Sequence, residues 1–223
     1  MNLASYIDHT FLKPDGDEKA IYKLCREAKK YGFASVCVNP AEVKLAAKLL
    51  KKSNVKVCTV VGFPLGANST SIKLAEALQA VEEGANELDF VLNQRLLKYN
   101  VAACLYELEI LIDACRAIPK MMKHREITAP LTKLIIECCN LTREEKILAC
   151  KLAKKAGFDY VKTSTGFAKG GATVEDVKLM RKVVGPKMGV KAAGGIRDRE
   201  TALKMIAAGA TRLGCSAGVE ICK

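Results

Sequence analysis

Residues 143–193 read REEKILACKLAKKAGFDYVKTSTGFAKGGATVEDVKLMRKVVGPKMGVKAA. Two stretches in this run, 143–156 and 174–184, carry apolar residues at three-and-four spacing with lysines between them, the pattern of a helix with one buried face. Each is followed by a short apolar run, 160–164 and 189–193. At the first junction, Ala156-Gly157-Phe158, glycine stands where the chain leaves a helix and φ turns positive. Helix, strand, helix, strand in this order predicts neighbouring parallel strands with helices packed on them.

The same unit recurs on both sides. Apolar runs at 7–12, 35–38, 57–63, 87–92, 134–138 and 212–215 bring the candidate strands to eight. Helix-period segments occupy 18–31, 40–51, 72–83, 101–117 and 198–208, and Gly32, Gly84 and Gly209 repeat the punctuation seen at Gly157. Eight units predict a closed (β/α)8 barrel, the TIM barrel, over an open sheet. No linker or low-complexity segment interrupts the chain, so residues 1–223 read as one domain. That length is near the lower end for a barrel and long enough to bury a large core without metals or disulfides.

Composition narrows the function. The net charge of +12 attracts anions and steers them inward. The basic residues are spread along helical segments without a basic tail, and the six Tyr and six Phe are scattered. A phosphorylated metabolite is therefore the expected anion, and no nucleic-acid partner is expected. The ten cysteines include no CxxC pair, and several lie in apolar runs, which predicts free buried thiols in a reducing cytoplasm. With only His9 and His124 present, and neither at ligand spacing to the cysteines, no metal site is expected. The N-terminus lacks the pattern of a signal peptide, and no run approaches a membrane span.

In a barrel of this kind the chemistry sits at the C-terminal ends of the strands and in the loops after them. Ionisable residues inside strand-like runs stand out, because burying them is costly. Asp89 lies in Glu87-Leu88-Asp89-Phe90-Val91-Leu92, where period two sends Leu88, Phe90 and Leu92 toward the helices and Asp89 inward. Lys162 follows Val161 and Lys191 follows Val190, and if each valine faces the helices each lysine points into the barrel. The three residues fall on strands four, six and seven, so the two lysines are on adjacent strands. The plain alternative is that the lysines snorkel outward or pair with carboxylates such as Asp89 or Glu137. Two inward lysines with an aspartate in one barrel favour a chemical role. An amine is a nucleophile toward a carbonyl, and a neighbouring positive charge raises its neutral fraction. Spacing alone does not say which lysine attacks and which assists.

Small residues mark a second feature. Gly194-Gly195 follow strand seven and lead into Arg197, and Gly214-Cys215-Ser216-Ala217-Gly218 follow strand eight. Backbone N–H groups exposed after strands seven and eight are a common phosphate cradle. Thr165-Gly166 extends it from strand six, and Gly170-Gly171 reads as a hinge.

At these residues the chain resembles the deoxyribose-phosphate aldolases. The segments that carry the resemblance begin with Ile7-Asp8-His9-Thr10-Phe11-Leu12-Lys13, Ser35-Val36-Cys37-Val38 and Val61-Gly62-Phe63-Pro64-Leu65-Gly66. They continue with Glu87 to Val91, Val161-Lys162-Thr163-Ser164-Thr165-Gly166-Phe167 and Val190-Lys191-Ala192-Ala193-Gly194-Gly195-Ile196-Arg197, in family order through nearly the whole chain. The resemblance implies that Lys162 forms the Schiff base, that Lys191 sets its acidity, and that Asp89 relays protons through water. It places the substrate phosphate on Gly166, Gly194, Gly195, Gly214 and Ser216. The implied reaction reversibly cleaves 2-deoxy-D-ribose 5-phosphate to acetaldehyde and D-glyceraldehyde 3-phosphate without metal or organic cofactor. A homo-oligomer, with a dimer favoured, is also implied.

Three positions depart from the family pattern. Ala217 stands where a second serine is expected, Asn140 replaces an apolar residue, and the sequence ends at Lys223 without a longer tail. These bear on affinity and rate more than on reaction type. Two other functions compete: a lysine aldolase or transaldolase with a different donor, and a non-catalytic basic barrel that binds anions. The lysine pair on adjacent strands argues against the first, and the intact set of Lys162, Lys191 and Asp89 against the second.

Overall fold

A computed structural model describes residues 2–121 and 127–223. Eight parallel strands close into one barrel in sequence order. They are β1 (Ile7–Phe11), β2 (Ser35–Val38), β3 (Lys56–Val61), β4 (Glu87–Val91), β5 (Leu131–Ile135), β6 (Tyr160–Lys162), β7 (Gly189–Ala193) and β8 (Arg212–Cys215). Around them lie α1 (Glu18–Tyr31), α2 (Val43–Leu50), α3 (Thr70–Glu82), α4 (Gln94–Tyr99) and α5 (Val101–Met121). The ring continues with α6 (Arg143–Ala156), α7 (Val174–Val184), α8 (Arg199–Ala207) and α9 (Gly218–Cys222). His124 lies outside the described residues.

Local chemistry explains the helix ends. Thr142 caps α6 in a reciprocal box with Glu145, and Gly157 ends it at φ 92°. Asp17 caps α1 and Gly32 ends it at φ 69°. Thr173 and Asp198 cap α7 and α8 by accepting from the third residue onward.

Several bounds differ from the sequence reading: β3 ends at Val61 rather than at residue 63, β1 and β4 end one residue earlier, and α5 runs on to Met121. Four further differences bear on the site or its surroundings. The fifth strand is Leu131–Ile135 rather than 134–138, so Ile136, Glu137 and Cys138 belong to the loop after it. The sixth strand stops at Lys162, and Thr163 and Ser164 begin the next loop. The short helices α4 and α9 have too few turns for a periodic signal. Gly214 and Cys215 lie inside β8, so the loop after that strand begins at Ser216.

Two different cores result. Between sheet and helices runs a continuous apolar layer that includes Val36, Leu88, Phe90, Leu134, Val161, Val190 and Leu213. Inside the barrel the apolar part is small: Cys37, Cys58 and Val60 pack with Leu12 and Phe63. The remaining interior is charged. Asp8, Glu87, Asp89, Lys133, Lys162 and Lys191 are all buried there, which is unusual for a barrel normally filled by branched aliphatics. The ten cysteines are free, eight of them buried. No helix among the described residues is long and apolar enough to cross a membrane.

Candidate active site

Strand register brings the charges together. Asp89 on β4 is the parallel partner of Lys133 on β5, and Lys162 on β6 is the partner of Lys191 on β7. Parallel partners on adjacent strands point the same way, so all four side chains turn inward. Asp89 accepts hydrogen bonds from three lysines: Lys133 at 2.8 Å through Oδ1, and Lys162 at 2.8 Å and Lys191 at 2.7 Å through Oδ2.

The lysines differ in how firmly they are held. Lys133 also pairs with Glu87 at 2.6 Å and takes Cys58 Sγ as a further acceptor at 3.3 Å. Lys191 Nζ lies 2.5 Å from Asp8 Oδ2, an ion contact outside hydrogen-bond direction. Lys162 has Asp89 as its one carboxylate partner among the described residues. It also lines an open cavity, whereas Lys133 and Lys191 have no exposed surface. Below them Arg212 donates to Asp8 at 2.6 Å and to Glu87 at 3.3 Å, and Ser35 donates to Asp8 at 2.7 Å.

These contacts set the protonation states. Burial would raise Asp89, but Lys133, Lys162 and Lys191 outweigh it and hold the carboxyl well below its usual range. Burial likewise opposes ionised Asp8, and Lys191, Lys133 and Arg212 overcome it. Burial disfavours charge on Lys191 and Lys133, yet Asp8 and Asp89 hold the first ammonium up and Asp89, Glu87 and Asp8 the second. Burial is offset in each case by countercharges in hydrogen-bond or ion contact.

The cavity that Lys162 faces measures about 270 Å³ at the C-terminal end of the barrel. Thr165, Gly166, Gly194, Gly195, Gly214 and Ser216 line it, and Lys13 and Arg197 stand on its wall. All five residues expected to hold phosphate thus share one cavity with Lys162. Gly166, Gly194 and Gly195 take φ of 88°, 89° and 82°, a region that glycine alone enters freely. Gly214 has a second reason to be small: a Cβ there would stand 3.0 Å from Lys191 Cε. Gly171, expected as a hinge, is a packing residue, since its Cβ would meet the Gly194 carbonyl oxygen at 2.3 Å. A larger cleft, about 700 Å³, lies against Asp159, Tyr160 and Gly189 and includes none of the interior lysines.

Glu137 does not pair with either expected lysine. Its backbone is left-handed at φ 57°, and its carboxylate accepts from the Thr165 N–H at 3.2 Å and from the Thr165 hydroxyl. Thr165 Oγ1 in turn accepts from the Phe167 N–H at 3.1 Å. Glu137 therefore fixes the turn that carries Gly166, and Phe167 stands edge-on to Phe63 at 5.2 Å beside it.

The interior does not fit a metal. Cys37, Cys58 and Asp89 bring three possible ligand atoms within 4.8 Å, as do Asp8, Cys58 and Glu87. Lysine ammonium groups already bond Asp89 and Glu87, and arginine and lysine flank Asp8, where a cation would need them free.

A closed barrel with a buried amine opening on a cavity at the C-terminal ends of its strands defines a (β/α)8 enzyme. Comparison with known proteins specifies it further. Residues 3–223 match the model of the DeoC/LacD family aldolases. A deoxyribose-phosphate aldolase of Geobacillus sp. (strain WCH70) is 57% identical over 220 residues, covering 99% of this chain and 94% of that protein. One from Thermococcus gammatolerans is 56% identical, covering 99% and 95%. Among solved structures, a putative deoxyribose-phosphate aldolase from Coccidioides immitis superposes with a TM-score of 0.91 at 41% identity, covering 99% of this chain and 84% of that one. The deoxyribose phosphate aldolase of Aeropyrum pernix, described as a unique tetramer, gives 0.89 at 33% identity, covering 99% and 89%. The chain belongs to the deoxyribose-phosphate aldolase family, within the DeoC/LacD aldolases, and is a carbon–carbon lyase.

Proposed function

We propose that the protein reversibly cleaves 2-deoxy-D-ribose 5-phosphate to acetaldehyde and D-glyceraldehyde 3-phosphate through a Schiff base on Lys162. The observation that carries this reading is the asymmetry of the lysines. Lys162 alone among the buried interior lysines opens on the cavity and answers to a single carboxylate, while Lys191 is clamped by two. An amine that must lose its proton and reach a carbonyl is the loosely held one.

In cleavage, the Lys162 amine adds to the aldehyde carbon of the open-chain sugar and water leaves, giving a protonated imine. A base takes the proton of the C3 hydroxyl, the C2–C3 bond breaks, and its electron pair moves into the imine to form an enamine. D-glyceraldehyde 3-phosphate departs. Protonation of the enamine at C2 and hydrolysis release acetaldehyde and the amine. The iminium nitrogen is the electron sink, so the steps need no cofactor. Asp89 and Lys191, hydrogen-bonded to each other behind Lys162, relay the protons to and from the cavity through water. Gly166, Gly194, Gly195, Gly214 and Ser216 hold the phosphate.

Mass spectrometry after borohydride treatment with deoxyribose 5-phosphate tests this directly. One reduced adduct on Lys162 is expected; an adduct on Lys191, or none, overturns the assignment. Self-association belongs to the same reading, with a dimer favoured. A tetrameric relative supports assembly in the family, and light scattering of the purified protein measures the order. The buried thiols fit a reducing cytoplasm.

A further inference from the structure

The barrel interior holds four cationic side chains, Lys133, Lys162, Lys191 and Arg212, in contact with three carboxylates, Asp8, Glu87 and Asp89. We infer that Lys133 is a positioning residue of the reaction: its ammonium gives this buried cluster one cation more than it has anions, and so favours the neutral amine at Lys162. The inference rests on Lys162 being the nucleophile. In a low-dielectric interior an uncompensated charge is costly, and loss of one proton from the cluster brings it to neutrality.

Geometry decides which group gives up that proton. Lys133 bonds Glu87 at 2.6 Å and Asp89 at 2.8 Å. Lys191 lies 2.5 Å from Asp8 and 2.7 Å from Asp89. Arg212 bonds Asp8 at 2.6 Å and retains its proton in proteins. Lys162 shares Asp89 Oδ2 with Lys191 and has no second carboxylate. Lys133 also engages Asp89 through Oδ1, which draws that carboxylate away from Lys162.

Asp8 projects from β1, Cys37 from β2, Cys58 from β3, Glu87 and Asp89 from β4, Lys133 from β5, Tyr160 and Lys162 from β6, Lys191 from β7 and Arg212 from β8. Cys58 accepts from Lys133 at 3.3 Å and donates to Asp89 at 3.2 Å, as a neutral thiol does, and burial pushes that thiol up. A bond from Cys58 would pull the Cys37 thiol below its ordinary range against burial, but the Cys58 proton points at Asp89 instead, and Cys37→Ala tests whether Cys37 carries charge. The Tyr160 ring lies 5.6 Å from the Arg212 guanidinium, a cation–π contact that adds no carboxylate to the cluster.

The test is the acid limb of the pH profile for borohydride trapping on Lys162, measured with deoxyribose 5-phosphate on five proteins. Lys133→Met removes the surplus cation and should move the limb to higher pH by about one to two units. Glu87→Gln enlarges the surplus and should move it to lower pH. The double variant restores a surplus of one, with three cations facing two carboxylates, so its limb should lie within about half a unit of the unaltered protein. Cys37→Ala should leave the limb in place. Opposite shifts that cancel are not produced by packing defects. Should Lys133→Met fail to fold, the sign of the Glu87→Gln shift and the position of the double variant still decide. Limbs that coincide in all variants, or a downward shift with Cys37→Ala, overturn this inference while leaving the nucleophile intact. Absence of a Lys162 adduct in the unaltered protein overturns the Schiff-base reading itself.

Discussion

Lys191 faces two carboxylates, and this fixes what its removal does. In Lys191→Leu, Asp8 keeps Arg212 at 2.6 Å and Asp89 keeps Lys133 and Lys162. No carboxylate is left without a cation, so the fold should survive. Asp89, released from one competitor, holds Lys162 more tightly as its ammonium, and the neighbouring proton donor is gone. Cleavage of deoxyribose 5-phosphate at neutral pH should fall at least about a hundredfold, with the optimum moved upward. Steady-state rates across pH check this; near-native turnover at pH 7 would make Lys191 a bystander. Lys162, Lys191 and Asp89 were legible in the sequence because each interrupts a run whose period-two neighbours are apolar. Lys133 was not. The most apolar run near it starts at Leu134, one residue after Lys133, so hydropathy alone puts the strand too far along the chain and leaves its one interior charge outside it. Glu87, Asp8 and Arg212 lay at the starts of runs, where a charge ordinarily means an exposed strand end. Only the closed barrel turns those ends toward one another.

At the scale of elements, ion pairs tie the strands across the barrel. Asp8 on β1 meets Arg212 on β8 and Lys191 on β7, and Glu87 and Asp89 on β4 meet Lys133 on β5. Asp8 and Asp89 are held below their ordinary range, so they contribute stability that is present above the unfolded carboxylate value, about 4, and is lost as pH falls through their folded values. Lys133 and Lys191 are held up, so their contribution is complete below the unfolded lysine value, about 10.4, and is lost as pH rises through the folded values. Burial also pushes the Cys25 and Cys104 thiols up to about 11 and Cys115 and Cys150 up to about 12, so their contribution is complete only below the unfolded thiol value, about 8.5. The thermal midpoint should therefore be flat between about pH 5 and about pH 8 and fall outside that window. A midpoint that drops between pH 7 and pH 5 would show that the carboxylates are not ionised partners. The strand order and most helix bounds followed from periodicity and glycine placement. The loop after β5 did not, because the left-handed backbone at Glu137 is held by a bond to Thr165 on another loop, a tertiary contact with no local signature.

The whole molecule carries a net charge of +12, and its cavity wall includes Lys13 and Arg197 as well as the glycine turns. A phosphorylated sugar should gain from both features. If the backbone N–H groups of the glycine turns bind the phosphate as proposed, two charge-assisted bonds at roughly 1.5–3 kcal/mol each suffice for about a hundredfold preference in kcat/KM over unphosphorylated deoxyribose. Ala217 supplies no hydroxyl, so Ala217→Ser should lower KM for the phosphorylated sugar and leave deoxyribose nearly unchanged. Outside the site, the positive field raises the encounter rate of anions, and that part is screened by salt. Raising ionic strength from about 0.01 M to about 0.3 M should lower kcat/KM for deoxyribose 5-phosphate severalfold and leave deoxyribose within about twofold. The two contributions separate in one set of steady-state measurements, because short contacts in the cavity persist in salt while long-range steering does not. A preference that vanishes at high salt would mean that the glycine turns bind no phosphate and that only the overall charge favours it. Equal efficiency on both sugars at every salt concentration would remove the phosphate from the substrate altogether.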